Sequence, residues 1–299
     1  MSDIKELNEI QRILAKKPDL SPNSVKTYTQ AYKKLVDVLA TKNVADLDNE
    51  EIIEELDKLE NYGTINLLLT IVMMIKFDNE KPIDDIKKHR DVIRDEMREH
   101  RWKRKEEKKD TLPSIITLTK HLNRLYSKSQ HQSFIINYLL INYNVRNLDL
   151  DLIVTDDMQD YHILGKQGDE NVLFVGKNNS VYYYRNFYKT SKTYGSKAIR
   201  LSSVKLKNSI RGYLAEQRAI KEGPVYLLSL VDGNRSGRDS LSNYITKHTY
   251  EGLNESDIMK LIMTEKIKSF EDYEKLEKIS FNRGTAIQTL IEEYSLDVY

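Results

Sequence analysis

The sequence predicts a mainly α-helical protein with one small antiparallel β-sheet. Most of the 299 residues fall into segments whose apolar side chains recur every three or four positions, which is the period of a helix that buries one face. A stretch in the second half, residues 171–202, is instead rich in Val, Tyr and Phe and contains turn signals, as expected for a group of strands. At about 150 residues per domain, the length predicts two domains.

The N-terminal part, residues 1–107, shows a helical pattern with few breakers and no strand candidate, and we assign it to an all-helical domain. Ser21 or Ser24 can cap a helix, because Val25 and the apolar residues after it recur at helical spacing. A long, highly charged helix is expected after Pro82. Helices are predicted over about 22–39, 49–60, 63–77 and 83–109.

The boundary between the domains is placed at residues 108–114. The surrounding sequence "RKEEKKDTLPS" is highly charged, has no apolar residue before Leu112 and reaches a proline at Pro113. This composition is typical of a solvated linker. An exposed helix end would look the same.

The second domain, residues 115–299, is predicted to contain the sheet among further helices. The turn signals "GKNNS" and "YGSK" separate three antiparallel strands, near 171–175, 180–188 and 197–202. Helices are predicted over 115–126, 132–143, 203–221, 241–250, 256–266, 270–280 and 285–294.

The composition excludes several kinds of site. The chain has no cysteine, so disulfides, thiolate catalysis and Cys-ligated zinc are ruled out. Its six histidines are scattered without ligand spacing, and neither "GKNNS" nor "GNRSG" has the spacing or the Lys-Ser/Thr ending of a P-loop. We therefore expect no metal site.

The N-terminal sequence, the apolar runs and the net charge limit where the protein can be located and what it can bind. The N-terminus is polar, and the longest apolar run, Ile65 to Ile75, is too short to cross a bilayer, so we expect a soluble, intracellular protein with no membrane partner. The formal net charge is only +1, which argues against a nucleic-acid binder unless charge is segregated by face.

The stretch "NYNVRNLDL" places Arg146 at the end of a helix that reads as buried. A guanidinium there needs acceptors or a fixed anion. Asp149 can satisfy it in a structural salt bridge. An arginine held by an acid is also how an enzyme presents a fork of donors to a phosphate.

Two further features follow downstream. Lys189 and Lys192 lie at the tip of a predicted hairpin, where they either reach over a ligand or keep the turn soluble. Tyr294 lies on the last predicted helix. A tyrosine becomes a useful nucleophile where cations stabilise its phenolate, although a tyrosine on a helix face commonly packs on the core.

These features, in this order, resemble the tyrosine recombinase (phage-integrase-like) superfamily over nearly the whole chain. "LSPNSVKTYTQAYKKL" looks like the first helix of its helical core-binding (SAM-like) domain. "NVRNLDL" looks like its first catalytic box, with Arg146 as the first arginine and Asp149 as the bracing acid. "KTSKTYGSKAIRL" resembles the hairpin with the catalytic lysine, for which Lys192 is the better match and Lys189 the alternative. The composition, which is rich in Asn and Lys, looks most like that of recombinase-type proteins of large DNA viruses.

The resemblance implies a catalytic-type C-terminal domain, double-stranded DNA as the partner, and a homo-oligomer on that DNA. The implied chemistry is phosphoryl transfer without a cofactor. Two arginines hold the scissile phosphate, a lysine protonates the leaving hydroxyl, and Tyr294 forms a 3′-phosphotyrosine bond.

The second catalytic box departs from the family pattern. Where the family has His/Lys-x-x-Arg, this chain has "SDIMKLIMTEK", with Asp257 in the first position and Lys260 in place of the arginine. Lysine keeps the charge but loses the bidentate fork. Thr285 stands where a histidine or tryptophan is expected. Losing one donor aimed at a developing charge costs on the order of 10²–10³ in rate.

A second alignment takes "FNRGTAIQTL" as the box. Arg283 is then the second arginine and Ser280 takes the place of the histidine, but few residues remain for the final helices unless Tyr294 or Tyr299 serves from an unusual position. Arg283 could also act beside the tyrosine in the first alignment.

DNA phosphates would be contacted by basic residues of the N-terminal domain, each of which could equally belong to an ordinary solvated face. The candidates are Lys26, Lys33, Lys34, Arg101, Lys103, Arg104 and Lys105.

Three functions remain open at this point. The chain is an active, divergent recombinase, or a recombinase-fold protein that has lost catalysis and keeps a DNA-binding or structural role, for example in a virion, or an unrelated helical scaffold.

Overall fold

The structure is a computed structural model, and it describes residues 9–109, 111–176, 180–237, 240–266 and 273–295. The chain divides after Lys108 into two compact units. Within the described ranges, no helix is both long and apolar enough to cross a bilayer.

The N-terminal unit is helical throughout its described residues. Polar side chains begin three of its helices: the hydroxyl of Ser21 and the side chains of Asp48 and Asn61 accept hydrogen bonds from backbone amides of the first turn. The helices are α1 (Glu9–Ala15), α2 (Pro22–Leu39), α3 (Asn49–Asp57), α4 (Tyr62–Asp78) and α5 (Asp84–Lys109).

The core of this unit forms between α1, α2, α3, α4 and the first half of α5. Leu35, Ile52, Leu69, Ile75 and Ile86 are fully buried. α5 continues to Lys109 and so includes the first residues of the expected linker, because Lys, Glu and Arg are good helix formers in a solvated segment.

The C-terminal unit begins with two helices that precede the sheet, α6 (Ile115–Ser127) and α7 (His131–Tyr143). α7 is apolar on almost every side and is largely buried. It ends at Asn144, whose φ of 54° turns the chain out of the helix.

The sheet contains the three predicted strands and two further ones. The strands are β1 (Leu152–Thr155), β2 (Asn171–Val175), β3 (Val181–Arg185), β4 (Lys197–Leu201) and β5 (Val225–Tyr226), in the spatial order β4-β3-β2-β1-β5. The predicted strands β2, β3 and β4 pair antiparallel with one another, whereas β1 pairs parallel with β2. The fold class is confirmed, with a mixed sheet in place of a purely antiparallel one.

The sequence did not predict β1 and β5 because both are short. β1 has four residues, all buried, and β5 has two. A buried strand lacks the alternation of a half-exposed one, and two residues carry no period.

Alternate residues of the sheet pack on its two faces. Leu173 and Tyr183 belong to the main core with α7 and with α10 (Val204–Ile220). Val172 and Phe174 face the other way and pack on Tyr161, in a π-helical turn (Tyr161–Lys166) that follows the short α8 (Met158–Asp160). Both faces are thus covered, and the edge at β4 leads into the candidate site.

The remaining helices are α9 (Ser191–Tyr194), α11 (Leu241–Thr246), α12 (Glu255–Lys266), α13 (Tyr273–Arg283) and α14 (Ile287–Tyr294). Of these, α12 and α13 pack against α7, and α14 packs against both of them. The start of the helix predicted over 270–280 lies outside the described residues, as do the middle of the "GKNNS" turn and Tyr299. α13 ends three residues later than predicted, because Gly284, with a φ of 62°, stops it.

Candidate functional site

Arg146 directs its guanidinium at the loop between α13 and α14. Its Nη1 donates to the carbonyl oxygen of Arg283 over 3.0 Å, and its Nη2 donates to Oγ1 of Thr285 over 2.5 Å. Burial, and then the charge of Arg283, lower the pKa of Arg146. The first arginine of the sequence motif is therefore half-buried and joined to the last two helices.

Asp149 lies beside Arg146 but has a different ion-pair partner. One carboxylate oxygen, Oδ2, accepts the backbone amide of Arg146 over 2.7 Å and Nη2 of Arg185 over 2.6 Å. We expected Asp149 to brace the guanidinium of Arg146, but its carboxylate contacts the backbone of Arg146 and the guanidinium of Arg185. The short turn from 147 to 150 brings the carboxylate back onto the backbone instead.

Arg185 is a member of the cluster that the sequence analysis missed. Its side chain and that of Asp149 are both fully buried. Its Nη1 donates to the carbonyl oxygen of Asn282, and its Cζ lies 4.6 Å from the ring centroid of Tyr188. A signal existed, because Arg185 ends a run of strand residues, "VYYYR", at an inward position.

Arg283 connects α13 to Tyr294 and to α12. Its side chain is 2% exposed, and its Nη2 donates both to Oε1 of Glu255 and, over 2.8 Å, to the hydroxyl of Tyr294. Burial works to lower the pKa of Arg283, yet Glu255 and Tyr294 together hold it above its ordinary value. The other oxygen of Glu255 accepts the backbone amide of Asn147 over 2.9 Å.

The predicted second box does not reach this cluster. Lys260 lies 3.7 Å from Oδ1 of Asp257, one turn away on α12, and Oδ2 of Asp257 accepts the side-chain amide of Asn254 over 2.7 Å. At about 100° per residue, 257 and 260 share a face of α12 that differs from the face of 255. Glu255 is the α12 residue that enters the cluster, and the sequence analysis did not name it.

In the second alignment, Arg283 reaches the tyrosine but Ser280 does not. The hydroxyl of Ser280 donates to the carbonyl oxygen of Thr285 over 2.7 Å, which closes the end of α13. Arg283 lies beside Tyr294, as the first alignment allowed.

The two hairpin lysines are exposed and stay outside the cluster. Within the part of the chain that the structure describes, neither Lys189 nor Lys192 makes a hydrogen bond or an ion pair. Their turn nevertheless lies against the α13–α14 loop, because Oγ1 of Thr190 donates to the carbonyl oxygen of Gly284 over 2.8 Å.

Lys197 is the lysine that lies close to the arginines. It begins β4, is buried, and donates to the carbonyl oxygen of Phe281. Its Nζ lies 4.4 Å from the ring centroid of Phe281 and 5.4 Å from that of Tyr188. Burial, and then the charge of Arg185, lower the pKa of Lys197. Lys197 lies five residues after Lys192, the lysine preferred from the sequence motif.

The cluster as a whole is positive and already bonded. It joins four cations, Arg146, Arg185, Arg283 and Lys197, to two carboxylates, those of Asp149 and Glu255. Its charge balance favours an anion. The Nη atoms of Arg146, Arg185 and Arg283, however, donate to the protein's own oxygens, while the Nε atoms of Arg185 and Arg283 are buried with no hydrogen-bond partner among the described residues. Among the described residues, no group of three side chains has the arrangement of a metal site.

The basic residues predicted to contact DNA lie on α2 and α5 of the N-terminal unit. Those on α2 are exposed, and on α5 Lys103 is 3.0 Å from Glu99. Their positions are α2 (Lys26, Lys33, Lys34) and α5 (Arg101, Lys103, Arg104, and the half-buried Lys105).

Comparisons with known proteins give a distant structural likeness and no match to a protein family. No protein-family model matches the chain, and no curated protein is similar to it. Among solved structures, the chain is similar to a crystal structure of XerA recombinase, with 10% sequence identity over 97% of this chain and 92% of that one, at a TM-score of 0.40.

Proposed function

We propose that this protein binds the phosphates of DNA through its recombinase-like C-terminal unit and that the centre described above does not cleave the strand. Support for the anion comes from the excess of cations around Arg146, and support for DNA comes from the resemblance carried by "NVRNLDL", the hairpin and Tyr294.

The proposal that the site does not cleave DNA rests on the hydrogen bonds of Arg283. In the family that the chain resembles, two arginines hold the scissile phosphate beside the tyrosine, a role that suits the bidentate guanidinium. Arg283 is 2% exposed and shares a single nitrogen, Nη2, between Glu255 and Tyr294. Together with Asp257 and Lys260 outside the cluster, this leaves Arg146 as the one half-exposed fork of the described site.

The test is a suicide substrate, in this case a pool of nicked duplexes of randomised sequence. We expect wild-type protein to form no covalent adduct on a denaturing gel, and to bind the intact duplex in a salt-sensitive manner. Arg146→Gln should weaken that binding. Arg211→Gln, which removes the same charge from an exposed position on α10, should leave it unchanged.

Strand cleavage through a 3′-phosphotyrosine is the second candidate function, and the 2.8 Å contact between Arg283 and the phenol of Tyr294 favours it. An adduct that forms with wild-type protein and disappears with Tyr294→Phe would establish this candidate and overturn the first. Wild-type protein that neither binds DNA nor forms an adduct would overturn both and leave a structural role.

A further inference from the structure

Glu255 begins α12 and directs its carboxylate into the positive cluster. Its Oε1 accepts a hydrogen bond from Nη2 of Arg283, and its Oε2 accepts the backbone amide of Asn147 over 2.9 Å. The same Nη2 donates to the hydroxyl of Tyr294 over 2.8 Å. The side chain of Glu255 is 16% exposed, so it lies at the edge of the cluster. The carboxylate therefore occupies the point where a guanidinium and a backbone amide converge beside the phenol.

This position suits an anion for reasons beyond these two hydrogen bonds. Glu255 lies in the first turn of α12, and the N-terminal end of a helix carries a partial positive charge. Burial, and then the charge of Arg283, lower the pKa of Arg146, whereas the charges of Asp149 and Glu255 act to raise it. Glu255 thus offsets the charge of both arginines of the site.

Glu255 uses only part of what Arg283 offers. A guanidinium binds an oxyanion best through two parallel donors. Here Nη2 alone meets Glu255, Nη1 donates to the carbonyl oxygen of Asn144 over 3.3 Å, and the buried Nε has no hydrogen-bond partner among the described residues. A phosphate group has more oxygens than a carboxylate, so it can accept from Nε, from Nη2 and from the amide of Asn147 together.

Arg146 is held less firmly than Arg283. Its Nη1 and Nη2 donate to the carbonyl oxygen of Arg283 and to the hydroxyl of Thr285, which are neutral acceptors. Hydrogen bonds between two charged groups are about twice as strong as neutral ones. A phosphate therefore reaches Arg146 by replacing neutral partners, but it reaches Arg283 only by competing with Glu255.

We propose that Glu255 is an internal competitor for the phosphate, whose carboxylate keeps Arg283 from the ligand and so sets the affinity of the site. The inference rests on the proposed function, because it takes the cluster as the phosphate site. In the wild-type protein the phosphate contacts Arg146, and removal of the carboxylate admits Arg283 as a second guanidinium. Glu255 is thus a positioning residue that acts through Arg283.

The affinity for a labelled duplex, measured by fluorescence anisotropy, tests the competitor in the full chain. Glu255→Gln keeps the shape of the side chain and removes its charge. We expect this variant to bind about tenfold more tightly than wild type, since the ligand no longer competes with a hydrogen bond between charged groups. Glu274→Gln, which removes an exposed carboxylate from the first turn of α13, should bind like wild type. A merely structural role for Glu255 predicts no gain in affinity.

Inorganic sulfate tests the same position without DNA. The NMR signal of the Nε–H of Arg283 should shift at a sulfate concentration about tenfold lower in Glu255→Gln than in wild type. Chloride at the same ionic strength should leave the signal in place. Glu255→Asp keeps the charge but draws the carboxylate back by one methylene, so it should respond at an intermediate concentration. This second variant serves if Glu255→Gln does not fold, which circular dichroism reports.

The possible outcomes separate this inference from the proposed function. A folded Glu255→Gln variant that binds no better than wild type, while Arg146→Gln weakens duplex binding, overturns the competitor and leaves the proposed function in place. Tighter sulfate binding by Glu255→Gln, with duplex binding that does not depend on Arg146, supports the competitor and overturns the proposed function.

Two further results would count against Glu255. An equal gain in Glu274→Gln would overturn the inference, because the gain would then follow from the net charge alone. So would a gain in duplex binding that leaves the Nε–H signal of Arg283 unchanged, because the second guanidinium would then make no contact with the ligand.

Discussion

The guanidinium of Arg283 holds Tyr294 by two contacts at once. Its Nη2 donates to the phenol oxygen over 2.8 Å, and its Cζ lies 4.6 Å from the centroid of the ring. Since Arg283 also pairs with Glu255, the last helix is tied to α12 through one buried charge. This is a stabilising contact in the folded chain, whatever the chemistry of the site.

Removing the phenol oxygen should therefore cost stability. We expect Tyr294→Phe to lower the free energy of unfolding by about 1.5 kcal/mol, which is the low end for a hydrogen bond to a charged group, because the ring is half-exposed. Urea denaturation measures this. Tyr194→Phe, at an exposed ring, is the control and should change stability by less than about 0.5 kcal/mol. Equal effects would show that the bond to Arg283 is not formed.

The buried pair of Arg185 and Asp149 should show strong coupling. Both side chains are fully buried, 2.6 Å apart. Either single substitution, Arg185→Met or Asp149→Asn, should destabilise the protein by about 3–5 kcal/mol, since it leaves the other group buried without its partner. The double variant should lose clearly less than the sum of the two. Additive losses would mean that the two groups do not interact.

Gly284 should resist substitution for two separable reasons. Its φ is 62°, and a Cβ there would lie 2.5 Å from Oγ1 of Thr190. We expect Gly284→Ala to cost about 2–3 kcal/mol, from backbone strain and the clash together. Gly252→Ala is a matched control, because Gly252 has a φ of 72° with no neighbour within 4 Å of an added Cβ. The difference between the two measures the contact with the hairpin turn, and no difference would argue against that contact.

Because His248 is partly buried, we expect the protein to lose stability in mild acid. Its ring lies between α7 and the end of α11, where Nδ1 is 2.9 Å from the hydroxyl of Ser133. Burial, and then Lys247, lower the pKa of His248 below its ordinary value. A base with a lowered pKa in the folded state stabilises fully above its unfolded pKa, near 6.5, and loses that contribution as pH falls below it, by up to about 1.4 kcal/mol per pH unit.

Unfolding free energies at about pH 7.5 and pH 5.5 check this, since the two values lie on either side of the unfolded pKa. Wild-type protein should lose more stability between them than His248→Asn does. His162→Asn removes an exposed histidine and should keep the wild-type dependence. A His248→Asn variant with the full wild-type loss would assign the effect elsewhere.

The sequence by itself determined the elements that carry a period or a cap. The helices from α2 to α7 begin and end close to their predicted positions, because apolar spacing and residues such as Ser21 and Pro82 act locally. The strands β2, β3 and β4 were recognisable from their β-branched and aromatic residues. The strands β1 and β5 were not, since their pairing depends on neighbours distant in the chain.

Only the tertiary structure decided which charged residues meet. Arg146, Thr285 and Tyr294 were named from the sequence and share one site. Glu255 and Lys197 share it too, and no local pattern distinguished them from surface charges. Arg185 also belongs to it, and for this residue alone the strand alternation of "VYYYR" gave a local signal. Asp257, Lys260 and Lys192 were named from motif positions and lie elsewhere.

The physical reason is one of range. Helical and strand periods depend on residues that are close together in the sequence, so they can be recognised from the sequence alone. A buried charge needs a partner that offsets its desolvation, and the packing of distant segments determines which residue that partner is. Asp149 is the partner of Arg185, and Glu255 is the partner of Arg283.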